Sequence, residues 1–197
     1  MTWLQAHRIR TLLACIIAAL GMVLLLGHIP LAAPSAQGGG FKVFPLALLL
    51  PLVLSCGLSL ALTRIPRELE AGSSRPIATY ELATIMIAVA LHTGALLAAH
   101  ALGHPLALAA AVNGLVFCAL TLAVPASSAA VMWLPVAFFL TMHMFGTTST
   151  DPEEWALTAH QDPNLTTLFL AAGFFTLAML TRAVLSTDAM RHVRRRV

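Results

Sequence analysis

The residues best equipped for chemistry in this 197-residue sequence are its eight histidines. His92 and His143 fall within long apolar runs, whereas His28, His100, His104 and His160 stand where such runs end. Imidazoles at membrane depth suit haem or quinone chemistry, and a bis-histidine haem needs two rings at matching depth on facing helices. His143 lies close to the end of its run and His92 well inside its own, so the depths match poorly. In "HALGH", His100 and His104 are four apart, the spacing that puts two ligands on one face of a continuous helix. Gly103 and Pro105, however, predict that the helix stops there, and no third ligand is evident. The outer histidines therefore read as interfacial polar side chains, and no metal or cofactor site is expected in the chain.

Catalytic signatures are not found. There is no H-E-x-x-H, no pair of acidic residues within an apolar run and no G-x-S-x-G, which leaves no enzyme activity expected of this chain alone. A phosphate-binding loop needs a lysine after glycine, but the only lysine, Lys42, follows Phe41. Glu81 and Arg182 lie near the ends of apolar runs and nothing charged lies deeper, which disfavours a carrier driven by coupled ions. The neutral polar residues within the runs are Ser55, Ser59, Asn113 and Thr141, groups that typically bond between helices at roughly 0.6–2 kcal/mol each. Of these deep groups, His92 and Asn113 are the candidates for a substrate pathway. Cys15, Cys56 and Cys118 also fall within apolar runs, where cysteine behaves as a small apolar side chain.

The solvent that such residues see is set by composition. Hydrophobic residues make up 59% of the sequence and charged ones 10%, against about 25% charged in a soluble domain, and the mean hydropathy is +0.88. This predicts an all-α polytopic membrane protein, since lipid-embedded backbone must satisfy its own hydrogen bonds. Apolar runs place six transmembrane helices at about 11–29, 43–63, 79–100, 106–124, 129–146 and 165–185, all in one domain over 1–197. The stretches "PLAAPSAQGGG", "HALGHP", "PASS" and "TTSTDPEEWALTAHQDPN" separate them. Pro45, Pro51 and Pro135 should kink the second and fifth spans.

Orientation follows from the basic residues, which are retained on the cytoplasmic side. With both termini cytoplasmic, Arg8, Arg10, Arg64, Arg67, Arg75, Arg182, Arg191, Arg194, Arg195 and Arg196 are all inside and only Lys42, of the eleven, is outside. The isoelectric point near 9.1 therefore reflects topology and contact with lipid headgroups, not nucleic-acid binding. The preference for arginine over lysine, with abundant alanine, reads as a bacterial plasma (inner) membrane protein. In the outer segment before the last helix, Asp151 followed by Pro152, Glu153 and Glu154 predicts a short helix, with Trp155 and Leu157 resting at the membrane interface.

The loop "RIPRELEAGSSRPIATYEL" between spans two and three carries six of the nineteen charged residues. Pro66 can open a helical turn and Gly72 can close it, which predicts a short polar helix at the cytoplasmic face. A six-helix subunit with this loop, an "ExGSSxP" step into span three and a substantial outer loop before span six resembles an ABC-2-type exporter permease. The residues that carry the likeness are Arg67, Glu68, Glu70, Gly72, Ser73, Ser74 and Pro76. The resemblance implies that the loop seats on a separate ATPase subunit, which binds ATP and Mg, with Arg64, Arg67, Glu68, Glu70 and Arg75 making the contacts. It also implies a second copy of the chain or a similar permease as partner. The alternative is a non-catalytic helical subunit of a larger membrane complex, for instance a redox or respiratory one.

Overall fold

The computed structural model describes residues 9–36, 40–62, 77–124, 130–146 and 156–194. The described residues are mostly helical and form six α-helices and one β-hairpin: α1 (Ile9–Leu26), β1 (Pro30–Ser35), β2 (Gly40–Pro45), a 3-10 turn (Leu46–Leu48), α2 (Leu52–Leu62), α3 (Ile77–Ala101), α4 (Ala107–Ala123), α5 (Ala130–Phe145) and α6 (Leu165–Arg194). Among the described residues three helices are long and apolar enough to cross a membrane, at Ile9–Leu26, Tyr80–Ala101 and Leu165–Val184. These present large apolar side chains outward, among them Ile17 and Leu25 on α1, Ile87 and Leu91 on α3, and Phe169 and Leu177 on α6. Such a surface suits hydrocarbon rather than water.

The helix at the centre is α4. It has 17 residues, about 25 Å at 1.5 Å per residue, and only Leu108 and Ala123 along it are not buried. It packs against α2, α3, α5 and α6. Lipid tails are as apolar as leucine, so burial from water cannot hold helices together within a bilayer, and close van der Waals packing must do it. The small residues Ala107, Ala110, Ala111, Gly114 and Ala119 on α4 serve that close approach. A similar notch joins α1 to α2, where a Cβ added at Gly57 would fall 2.6 Å from Cys15 Cβ and 2.8 Å from its Sγ.

The connection from α3 to α4 is made by local chemistry. Gly103 has φ +95°, the left-handed conformation that glycine adopts without a Cβ penalty. The His104 N–H donates to the Ala99 carbonyl at 3.1 Å and the Gly103 N–H to that of His100 at 2.9 Å, which together form a Schellman cap. His100 thus sits in the last turn of α3, whereas His104 lies beyond its end.

The stretch expected to form a second helix over 43–63 is built differently. Residues 40–45 pair antiparallel with 30–35, from Pro30 opposite Pro45 to Ser35 opposite Gly40, and regular α-helix begins only at Leu52. Pro45 and Pro51 therefore do not kink a helix but bracket its absence. Proline has no N–H to continue the ladder, and two of them six residues apart leave an interval that closes only one 3-10 turn. Alternate side chains of β2 point opposite ways, as a strand requires: Phe41 and Val43 are exposed and Phe44 is buried. Phe44 packs edge-on against Phe139 of α5, with ring centroids 5.4 Å apart. Pro135 lies within α5.

The short outer helix expected from Asp151 falls largely on 151–155, outside the described residues. From Ala156 onward the chain is not a surface helix. Residues 157–159 form a turn, and Ala156, Thr158 and Ala159 are buried in the bundle. Helix α6 then starts under an Asn164 cap, whose Oδ1 accepts from the Thr167 N–H at 2.9 Å.

Candidate functional site

Two stretches outside regular α-helix, 46–51 and 156–160, meet the middle of the bundle at one residue. The side-chain nitrogen of Asn113 on α4 donates to the Leu48 carbonyl at 2.9 Å and to the Thr158 carbonyl at 3.1 Å. Need for such a donor at Leu48 follows from the sequence. A 3-10 turn would return the N–H of the third residue on to that carbonyl, but that residue is Pro51, and the next N–H, from Leu52, bonds to Leu49 instead. Irregular backbone at membrane depth persists only where protein groups or a cavity satisfy it. Asn113 supplies the missing donor to two chain segments at once, and being only 1% exposed it works in a low-dielectric setting where the bonds are strong.

His92 stands at the same level on α3. It is fully buried, and its ring lies where a side chain on Gly114 would be: a Cβ added there would be 3.3 Å from His92 Cδ2, 3.4 Å from Nε2 and 3.6 Å from Pro51 Cβ. Glycine next to Asn113 thus makes room for the imidazole beside the helix break. Neither His92 nitrogen has a hydrogen-bond partner among the described residues, nor do Asn113 Oδ1, Thr158 Oγ1 or Thr93 Oγ1. An orphaned buried polar group costs about 1–3 kcal/mol, so this concentration of them is unlike a core built for stability alone.

The remaining polar groups are otherwise engaged. The hydroxyls of Ser55, Ser59 and Thr121 donate to carbonyls one turn back on their own segments, and Thr141 does the same. His143 rests on Phe139 and Phe44, with centroids 3.9 and 4.8 Å away, and its Nδ1 lies 3.1 Å from the Phe139 carbonyl. A carbonyl only accepts, so that nitrogen carries the proton. The two buried histidines therefore rest on different neighbours, His92 beside Gly114 and His143 on phenylalanines.

Glu81 and Arg182, 101 residues apart, form the ion pair that ties α3 to α6: Arg182 Nη2 donates to Glu81 Oε1 at 2.6 Å and Nε to the same oxygen at 3.1 Å. Glu81 lies in the second turn of α3, Arg182 lies where the apolar part of α6 ends, and each neutralises the other. The loop residues Arg64, Arg67, Glu68, Glu70 and Arg75 lie outside the described residues. His92 and Asn113 are thus the sequence candidates that the fold brings together, and Leu48, Pro51, Gly114 and Thr158 complete their surroundings. In the sequence the marks of this junction are Pro51 and the "NG" step of a largely apolar helix.

No family model matches this chain, and no curated protein or solved structure shows significant similarity to it. Its function must be argued from its own geometry.

Proposed function

We propose that the chain is the membrane-spanning permease subunit of an ABC-type exporter. It has six spans and cytoplasmic termini, and it sits in the inner membrane of a bacterium. A separate ATPase, which binds ATP and Mg, docks on the loop 64–82, and a second copy or a similar permease completes the assembly. The observation that supports this reading best is the junction at Asn113, where two irregular segments meet beside His92 in the interior of the bundle. In secondary transporters broken segments of this kind hold the substrate site, and we extend that reasoning to a permease energised by a partner.

The character of the interior supports an outside source of energy. Among the described residues the buried polar set comprises Ser55, Ser59, His92, Asn113, Thr121, His143, Thr158 and Thr167, with no Asp, Glu, Lys or Arg. Ion-coupled transport typically requires such charges in the membrane. The crowded charges of loop 64–82 then serve as the contact that receives work from the ATPase, with rim charges guiding encounter.

The experiment is to reverse the pair Arg67→Glu and Glu68→Arg in the full chain, confirm monodisperse membrane insertion, and measure which proteins co-purify and whether ATP is turned over. Loss of an associated ATPase supports the reading. If no ATPase accompanies the unaltered chain, the accessory-subunit alternative replaces it. The six-span topology has its own test. Cysteines at Gln37 and Trp155 should react with an impermeant thiol reagent on intact cells and cysteines at Ser73 and Val197 should not, while labelling of Gln37 and Ser73 from the same side would refute it.

A further inference from the structure

The junction carries an inference about cargo, which rests on the permease reading above. We propose that His92, the carboxamide oxygen of Asn113 and the hydroxyl of Thr158 bind an uncharged hydroxyl group on a largely apolar molecule, such as a long-chain alcohol. Asn113 is joined to Thr158 directly through the Thr158 carbonyl, and the ring of His92 fills the space over Gly114, the next residue along α4. Asn113 and Gly114 are thus consecutive on α4, one bonded to the Thr158 backbone and the other facing the His92 ring, and His92, Asn113 and Thr158 are each at least nine-tenths buried. Their free atoms are His92 Nδ1 and Nε2, Asn113 Oδ1 and Thr158 Oγ1.

The chemistry of those atoms selects the ligand. A carboxamide oxygen only accepts, so the ligand must donate, while an imidazole and a hydroxyl each offer a donor or an acceptor. An alcohol has one donor and two lone pairs and meets both demands. A carboxylate or ammonium would instead need a countercharge to leave water, and none of the buried residues described supplies one. Glu81 and Arg182, an ion pair among the described residues, already satisfy each other. The side chains flanking the site on the same helices, Val89 and Leu96 on α3 and Val112 and Val116 on α4, are buried aliphatics, which suits an apolar body.

The test uses the full chain in lipid nanodiscs with a diazirine-bearing hexadecanol as probe, alongside the matched carboxylic acid and amine. Peptides containing His92 and Asn113 should be photolabelled by the alcohol, and unlabelled hexadecanol should compete. His92→Leu should weaken labelling about tenfold, the factor that follows from losing one hydrogen bond of about 1.4 kcal/mol, and His92→Gln should retain most of it. Monodispersity of both variants excludes misfolding as the cause. Equal labelling by the acid or amine, or labelling indifferent to His92→Leu, overturns the proposal. So does absence of labelling with the His92 imidazole nitrogens in contact with exchanging water by solid-state NMR, which assigns the free atoms to trapped water. Selective labelling without any associated ATPase keeps the site and removes the permease reading.

Discussion

Removing the Asn113 amide should loosen two distant segments at the same time. In Asn113→Leu the side chain keeps a similar size but loses both N–H donors, so the Leu48 and Thr158 carbonyls lose their bonds at 2.9 and 3.1 Å. Side-chain hydrogen bonds in membranes average about 0.6 kcal/mol each, which sets a lower bound of about 1.2 kcal/mol for two. Two orphaned carbonyls at about 1–3 kcal/mol each set an upper bound of about 6 kcal/mol. Pro51 denies Leu48 its local replacement, and Thr158 is fully buried away from solvent, so a value of about 3 kcal/mol is expected. Thr121→Val is the control. It removes one bond to the Phe117 carbonyl within a continuous helix, at a cost expected below about 1 kcal/mol. Unfolding equilibria in bicelles measure both, and hydrogen exchange reports location: residues 46–50 and 156–160 should both exchange faster in Asn113→Leu and stay unchanged in Thr121→Val. Equal stabilities for the two variants, with exchange unaltered in both segments, would refute the role given to Asn113.

A double-mutant cycle on Glu81→Ala and Arg182→Ala should give a coupling of about 0.5–1 kcal/mol, because the pair is partly accessible and each long side chain can turn toward the interface alone; zero coupling in bicelle unfolding would mean that the contact does not join α3 to α6. Gly103→Ala should cost about 1 kcal/mol through its positive φ alone, since no atom lies within 4 Å of the added Cβ, and a melting temperature equal to the parent's would contradict the Schellman cap. Gly57→Ala should cost about 1–3 kcal/mol by overpacking against Cys15, and Cys15→Gly in the same chain should recover most of the loss in thermal unfolding; no recovery would place the strain elsewhere.

The helical, lipid-suited character of the chain was legible in the sequence, because long apolar runs have few other structures in hydrocarbon. So was the end of α3, since Gly103 and Pro105 act through local backbone conformation and need no distant partner. The resemblance of loop 64–82 to a coupling helix rests on Arg67, Glu68, Glu70, Gly72, Ser73, Ser74 and Pro76, which lie outside the described residues, so it stands as a sequence argument, while residues 77–82 already belong to α3. The interior was decided by tertiary structure. Residues 43–51 belong to an unbroken apolar run, and an all-apolar run carries no periodicity to distinguish a span from a strand, a turn and a late helix. His92 and Asn113 were recognisable as polar groups at depth, but their meaning lay in partners far along the chain. Asn113 bonds 65 residues back and 45 residues forward, and both acceptors are backbone carbonyls. Every residue carries such a carbonyl, so residue type could not reveal which two would lose their ladder partners. That was settled only when Pro51 interrupted one segment and the bundle closed over Thr158.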